Sequence, residues 1–169
     1  MPYIQYPECG QIINTHGCRG GVKIDPWCDS PAVLAALRTV YRKQNGALVP
    51  CALRRAAVSG RFVVAELAGV ETMEAADALR GTVLYAARDD LGIPEGVLLV
   101  AELIGLPVAD ARTGVRLGTV KDVIHPAHTD IYVIATEKGE AMVPVVPEFV
   151  QSADLERGVL LTPIEGMFD

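Results

Sequence analysis

Residues 10–24 read GQIINTHGCRGGVKI, which has the form of two strands joined by a turn rich in glycine. Val22 and Ile24 alternate with Lys23, and Ile12 and Ile13 precede the turn, so apolar β-type residues flank it on both sides. Gly17, Gly20 and Gly21 supply backbone that can turn left-handed or approach a neighbour closely. Asn14, Thr15 and His16 set polar side chains at the lip of this turn. Taken alone, the stretch predicts a β-hairpin.

The same punctuation recurs on both sides of it. Ser30-Pro31 opens a short apolar helix, AVLAAL, with serine at the N-cap and proline at the first helical position. Thr39–Gln44 runs into Asn45-Gly46, a strong hairpin signal. Ala47–Ala57 and Arg61–Leu67 read as strands separated by Ser59-Gly60. Thr72 caps a second helix, MEAADALR, which Gly81 stops, and Thr82–Ala87 closes the half as a strand. Short strands with frequent turn signals favour a small barrel over an α/β sheet.

Arg88–Gly96, RDDLGIPEG, is charged and then rich in glycine and proline, as a linker is. Beyond it LIGLPVADARTG, LGTVKDVI, IYVIAT, AMVPVV and VLLTP read as strands, interrupted at Thr113-Gly114, His125-Pro126 and Lys138-Gly139-Glu140. Pro144 and Pro147 cannot donate ladder hydrogen bonds, so they mark strand ends or an edge. The expected fold class is mainly β: two small β-barrels with short helices, over residues 1–90 and 97–169.

Composition narrows the function. The chain has 169 residues, half of them hydrophobic, and no apolar run long enough to span a membrane. Its start shows no basic region followed by an apolar one, so a cytoplasmic protein is expected. Cys9, Cys18, Cys28 and Cys51 lack the close spacing of zinc or redox motifs and read as reduced structural thiols. The net charge of −6 argues against a protein that grips nucleic acid over its whole surface. That average hides a step: residues 1–92 carry 10 Lys/Arg against 9 Asp/Glu, and residues 93–169 carry 5 against 12. The acidic second half complements a basic protein partner. The first half offers Arg19, Lys23, Arg38, Arg42, Lys43 and the pair Arg54–Arg55 as a local basic face.

Catalytic motifs are missing. There is no G-x-S-x-G elbow, P-loop or dinucleotide fingerprint. His125 and His128 flank Pro126 in a loop with no third ligand nearby in sequence. Cys18 beside His16 could form a thiol–imidazole pair, but nothing near them supplies an oxyanion hole or an orienting acid. Aromatic residues make up 5% of the chain, which disfavours a broad base-stacking platform. The residues describe a two-barrel binding protein with no cofactor and no metal.

The ordered landmarks resemble the ribosome maturation factor RimM family. They are Gly10-x-Ile12, His16-Gly17-Cys18-Arg19-Gly20, Ala75–Gly81 ahead of a strand, Leu103-Ile104-Gly105, Asp110 to Gly114 before Leu117-Gly118-Thr119-Val120, Asp130 before a strand, Val143-Pro144, and Val150 to Asp154-Leu155. The resemblance covers essentially the whole chain. It implies an N-terminal six-stranded barrel like those of translation factors and a C-terminal PRC barrel. It also implies a non-enzymatic chaperone for the head of the small ribosomal subunit. Such a factor binds small-subunit ribosomal protein nineteen and permits maturation of the small-subunit rRNA. On this resemblance Leu98, Leu99, Leu103, Gly105 and Asp130 meet the protein partner, while His16, Arg19 and Lys23 face the ribosome or RNA.

Two positions depart from the family pattern. Leu98 and Leu99 stand where it usually has a tyrosine pair implicated in ribosome binding, so they form either an apolar anchor or part of the core. Gly21 replaces a usual glutamate, and Cys18 a usual leucine. Two other readings stay open: a PRC-barrel assembly module for a non-ribosomal partner, and a small thiol enzyme using Cys18 and His16.

Overall fold

The computed structural model describes residues 3–168, which form two compact units, Ile4–Ile93 and residues 94–168 together with Tyr3. In the first, the opening hairpin is β1 (Glu8–His16) and β2 (Gly21–Pro26), paired from Gly10↔Pro26 to His16↔Gly21. Alternation places Ile12, Val22 and Ile24 fully inside, and Lys23 between them points outward. A one-turn helix, α1 (Pro31–Ala35), follows; Ser30 sits at its N-cap, though its side chain makes no capping bond. β3 (Thr39–Gln44) and β4 (Ala47–Ser59) are joined through Asn45 and Gly46, both left-handed, as a type I′ turn requires.

β5 (Phe62–Leu67) pairs with both β4 and β2. Helix α2 (Met73–Asp77) starts where the Thr72 hydroxyl accepts the Ala75 N–H at 3.1 Å. β6 (Val83–Tyr85) then pairs with β1 and β3, closing a barrel in the order β1-β2-β5-β4-β3-β6. Closure leaves no unpaired edge, and the interior fills with Ile12, Ile24, Leu34, Val40, Val63 and Leu84.

The expected linker begins later than the composition implies. Arg88–Leu91 forms a 3₁₀ turn of the first unit, held by the Arg88 N–H to the Gln5 carbonyl at 2.8 Å and by Leu91 against the core.

The second unit opens with a helical turn, α3 (Val100–Leu103), which ends on the first residue of the LIGLPVADARTG stretch read from sequence as strand. β7 (Pro107–Asp110), β8 (Arg116–Ile124), β9 (Ile131–Thr136), β10 (Gly139–Pro144), β11 (Val150–Asp154) and β12 (Gly158–Leu161) form one six-stranded sheet. Its order is β10-β9-β8-β7-β12-β11, and only the β12–β7 pair is parallel. Pro144 ends β10, which lies at one end of this order, in keeping with its missing donor. The sheet wraps a core of Leu106, Val108, Val120, Ile134, Val143, Val159 and Leu161.

Candidate functional site

The turn between β1 and β2 is built on glycine for two separate reasons. Gly20 has φ +93°, and a Cβ there would lie 2.4 Å from the Val70 carbonyl oxygen, so the turn packs directly on the chain leading to α2. A Cβ on Gly21 would lie 2.3 Å from the carbonyl oxygen of His16, its partner across the hairpin. The glutamate usual in the family therefore does not fit this turn as it is folded.

Beside the turn is an open concavity of about 400 Å³, lined by His16, Cys18, Arg19, Arg55, Val64 and Glu66 among others. Arg55 reaches it through a β-bulge. Register shifts between Arg54↔Glu66 and Ala57↔Val64, and Arg55 takes the left-handed conformation at φ +49°. An extra residue in one strand re-aims the side chain at that point. The Arg55 guanidinium lies 3.7 Å from the Glu66 carboxylate, an exposed pairing that adds little stability.

The outer face of β2, β5 and β4 carries more positive charge. Lys23 Nζ sits 4.2 Å from the Phe62 ring centroid and the Arg61 guanidinium 4.8 Å from it. Arg19, Lys23, Arg54, Arg55 and Arg61 thus lie on or next to these three strands, with Glu66 and Asp25 as acidic residues on the same strands. Among the described residues Arg19, Arg54 and Arg61 pair with no carboxylate. This clustering of cations suits a polyanion. Sequence reading pointed to His16, Arg19, Lys23 and the Arg54–Arg55 pair; Arg61 and Phe62 gave no signal, because only barrel pairing brings them beside Lys23.

β1 ends at His16, so Cys18 lies in the turn beyond the strand, and both residues line the concavity. Cys9 is buried, and burial pushes its thiol up to about 12; burial likewise raises Cys28, whose Sγ donates to the Cys9 carbonyl oxygen at 3.4 Å. Among the described residues no three His, Cys, Asp or Glu side chains are grouped to hold a metal ion.

In the second unit the expected partner residues separate. Leu103 is 6% exposed and belongs to the core, so its side chain is not available to a partner; this corrects its expected interface role. Leu98 is half-buried and packs against the same core, while half-buried Leu99 is the N-cap of α3. The Glu102 carboxylate accepts the Leu99 N–H at 2.9 Å, which holds this entry to the helix. Val97, Val100 and Ile104 are the exposed apolar residues around it. Gly105, at φ +93°, ends α3 and donates its N–H to the Val120 carbonyl at 2.8 Å. Asp130 holds His125 Nδ1 at 2.8 Å with its side chain, and its carbonyl accepts the Val145 N–H at 2.8 Å.

A closed six-stranded barrel with a basic face, followed by an acidic six-stranded sheet, defines a two-module β protein. Its two modules match two family models in order. Residues 8–91 match the RimM N-terminal domain, and residues 100–167 match the RimM PRC barrel domain. The ribosome maturation factor RimM of Clostridioides difficile is 31% identical over 167 residues, covering 96% of this chain and 95% of that protein. The RimM of Deinococcus radiodurans is 38% identical over 143 residues, covering 84% and 73%. A crystal structure of a 16S ribosomal RNA processing protein RimM from Pseudomonas aeruginosa is similar at 23% identity and a TM-score of 0.48, over 94% of this chain and 98% of that one. The chain belongs to the RimM family of ribosome maturation factors.

Proposed function

We propose that this chain assists assembly of the small ribosomal subunit by binding two chemically different partners. The second unit binds small-subunit ribosomal protein nineteen, a basic protein of the subunit head. The first unit turns the Arg19–Lys23–Arg55 face toward rRNA, and the combined action permits maturation of that RNA in the cytoplasm. The observation that carries this reading is the separation of charge. Residues 93–169 hold 5 Lys/Arg against 12 Asp/Glu, whereas five cations gather on one face of the first barrel. Opposite signs on separate modules suit a factor that meets a basic protein and an RNA together.

On the second unit, Leu99 with Val97, Val100 and Ile104 forms the apolar contact, next to Gly105, and Asp130 adds a charged contact from the β8–β9 connection. Leu98 supports it from the core side. Among the described residues no helix is long and apolar enough to cross a membrane.

The test is co-sedimentation of the full chain with purified small subunits over a series of salt concentrations. Binding is expected to weaken steeply with salt, and the double variant Arg19→Ala with Arg55→Ala to bind several-fold more weakly with an unchanged melting point. Failure to sediment with the subunit at low salt refutes the proposal. So does selective capture of one non-ribosomal protein in place of the basic head protein, which would favour the assembly-module alternative.

A further inference from the structure

Three of the chain's five tyrosines meet on the outside of the first barrel, away from the basic cleft in the strand order. Tyr41 of β3 lies directly across the ladder from Tyr85 of β6. The ring of Tyr6, just before β1, stands 5.1 Å from that of Tyr41 at an interplanar angle of 70°. Lys43, two residues after Tyr41 on the same side of β3, brings Nζ to 5.4 Å from the Tyr85 centroid. Tyr6 remains 45% exposed, and Tyr41 and Tyr85 are half-buried. Pro50 lies across from Tyr41 on β4, and Glu8 across from Tyr85 on β1 as the acidic neighbour.

One ring pair with a third tyrosine across the ladder is an unusual concentration of a residue class that makes up 5% of this chain. An edge-to-face pair leaves ring surface for a flat ligand, and the ammonium over the third ring adds a fixed positive charge at its margin.

We propose that the Tyr6–Tyr41–Tyr85–Lys43 face is a stacking platform for unpaired bases of single-stranded RNA. The tyrosine rings take the bases, and Lys43 takes the adjoining phosphate. Charge favours this occupant over an acidic or neutral peptide, since a cation is built into the aromatic cluster while Glu8 lies at its border. Stacking requires unpaired bases, so a duplex does not satisfy the site. The inference rests on the reading of the first unit as RNA-facing but concerns a different surface from the Arg19–Arg55 cleft.

The test measures fluorescence anisotropy of end-labelled oligoadenylate, about twelve nucleotides long, with the full chain, against the same sequence as a duplex. The single strand is expected to bind more tightly than the duplex. Tyr41→Ala weakens it about tenfold, a typical loss for one stacking ring, while Tyr41→Phe stays within about twofold because the ring is kept. Tyr6→Ala, outside the strands, gives a second reading if Tyr41→Ala lowers the melting point.

Equal binding of single strand and duplex overturns the proposal, as does a Tyr6→Ala variant that binds like the parent. Preference for a proline-rich peptide over the oligonucleotide overturns it too. Co-sedimentation with small subunits is scored separately: retained subunit binding with no oligonucleotide binding defeats the platform alone, and loss of both defeats the broader reading.

Discussion

Replacing Gly20 with alanine tests why the first hairpin folds as it does. Two costs coincide there. The left-handed backbone at φ +93° penalises an L-residue by about 1–2 kcal/mol. The new Cβ would also start 2.4 Å from the Val70 oxygen, so to reach a 3.0 Å separation something must retreat by 0.6 Å, the difference of the two. Val70 cannot give way easily, because it is buried and its N–H donates to Leu67 at 3.0 Å. Overpacking of this kind adds about 1–3 kcal/mol, for a total of about 2–5 kcal/mol.

Gly17 is the control. It is also left-handed, at φ +74°, but a Cβ there meets nothing within 4 Å, so Gly17→Ala carries only the backbone term of about 1–2 kcal/mol. The assay is urea unfolding followed by the fluorescence of Trp27, the single tryptophan, which lies in the first unit with its backbone N–H donating to the Cys9 carbonyl oxygen. Gly20→Ala should cost at least about 1 kcal/mol more than Gly17→Ala, or roughly 4–8 °C in melting temperature for a domain of this size. Equal losses in the two variants would refute the close-approach argument.

Three other outcomes follow from the geometry. Because burial holds the Cys9 thiol protonated up to about 12, from 9.0 when exposed, its contribution is complete below about pH 9. It then falls by about 1.4 kcal/mol per pH unit toward pH 12, where the unfolded chain has already released its proton. Comparing alkaline unfolding of the parent with Cys9→Ala checks this, and equal slopes above pH 9 would refute it. Leu98→Ala should destabilise the second unit by about 1–2 kcal/mol with binding kept by the folded fraction, whereas Leu99→Ala should weaken subunit co-sedimentation with little change by calorimetry; the reverse assignment would exchange core and anchor. Limited proteolysis should cut first within residues 92–97, since Arg88–Leu91 is held to the first barrel, and a first cut inside either sheet would place the boundary elsewhere.

Much of the fold was legible because β-structure writes itself locally. Alternation at Val22-Lys23-Ile24, the Asn45-Gly46 turn and the Thr72 cap each depend on a few neighbouring residues, and each stands in the structure where those residues put it. Helix α3 was not legible. Four residues are too short to show a helical period, and its start is held by the Glu102 carboxylate where no Ser, Thr, Asp or Asn stands at the cap.

The sequence by itself determined a mainly β chain of two modules, the charge step between them, and the ordered landmarks of a ribosome maturation factor. These are properties of composition and near neighbours, and they survive without knowing which strand meets which. Tertiary structure decided the rest. Barrel pairing set Lys23, Arg61 and Phe62 together, the β4 bulge turned Arg55 into the cleft, and the β3–β6 pairing gathered tyrosines that lie 35 and 44 residues apart along the chain. It also took Leu103 into the core while leaving Ile104, its neighbour, 47% exposed. Which side chain faces water depends on strand register and on how a single helical turn docks, and both are settled by contacts between residues far apart in sequence.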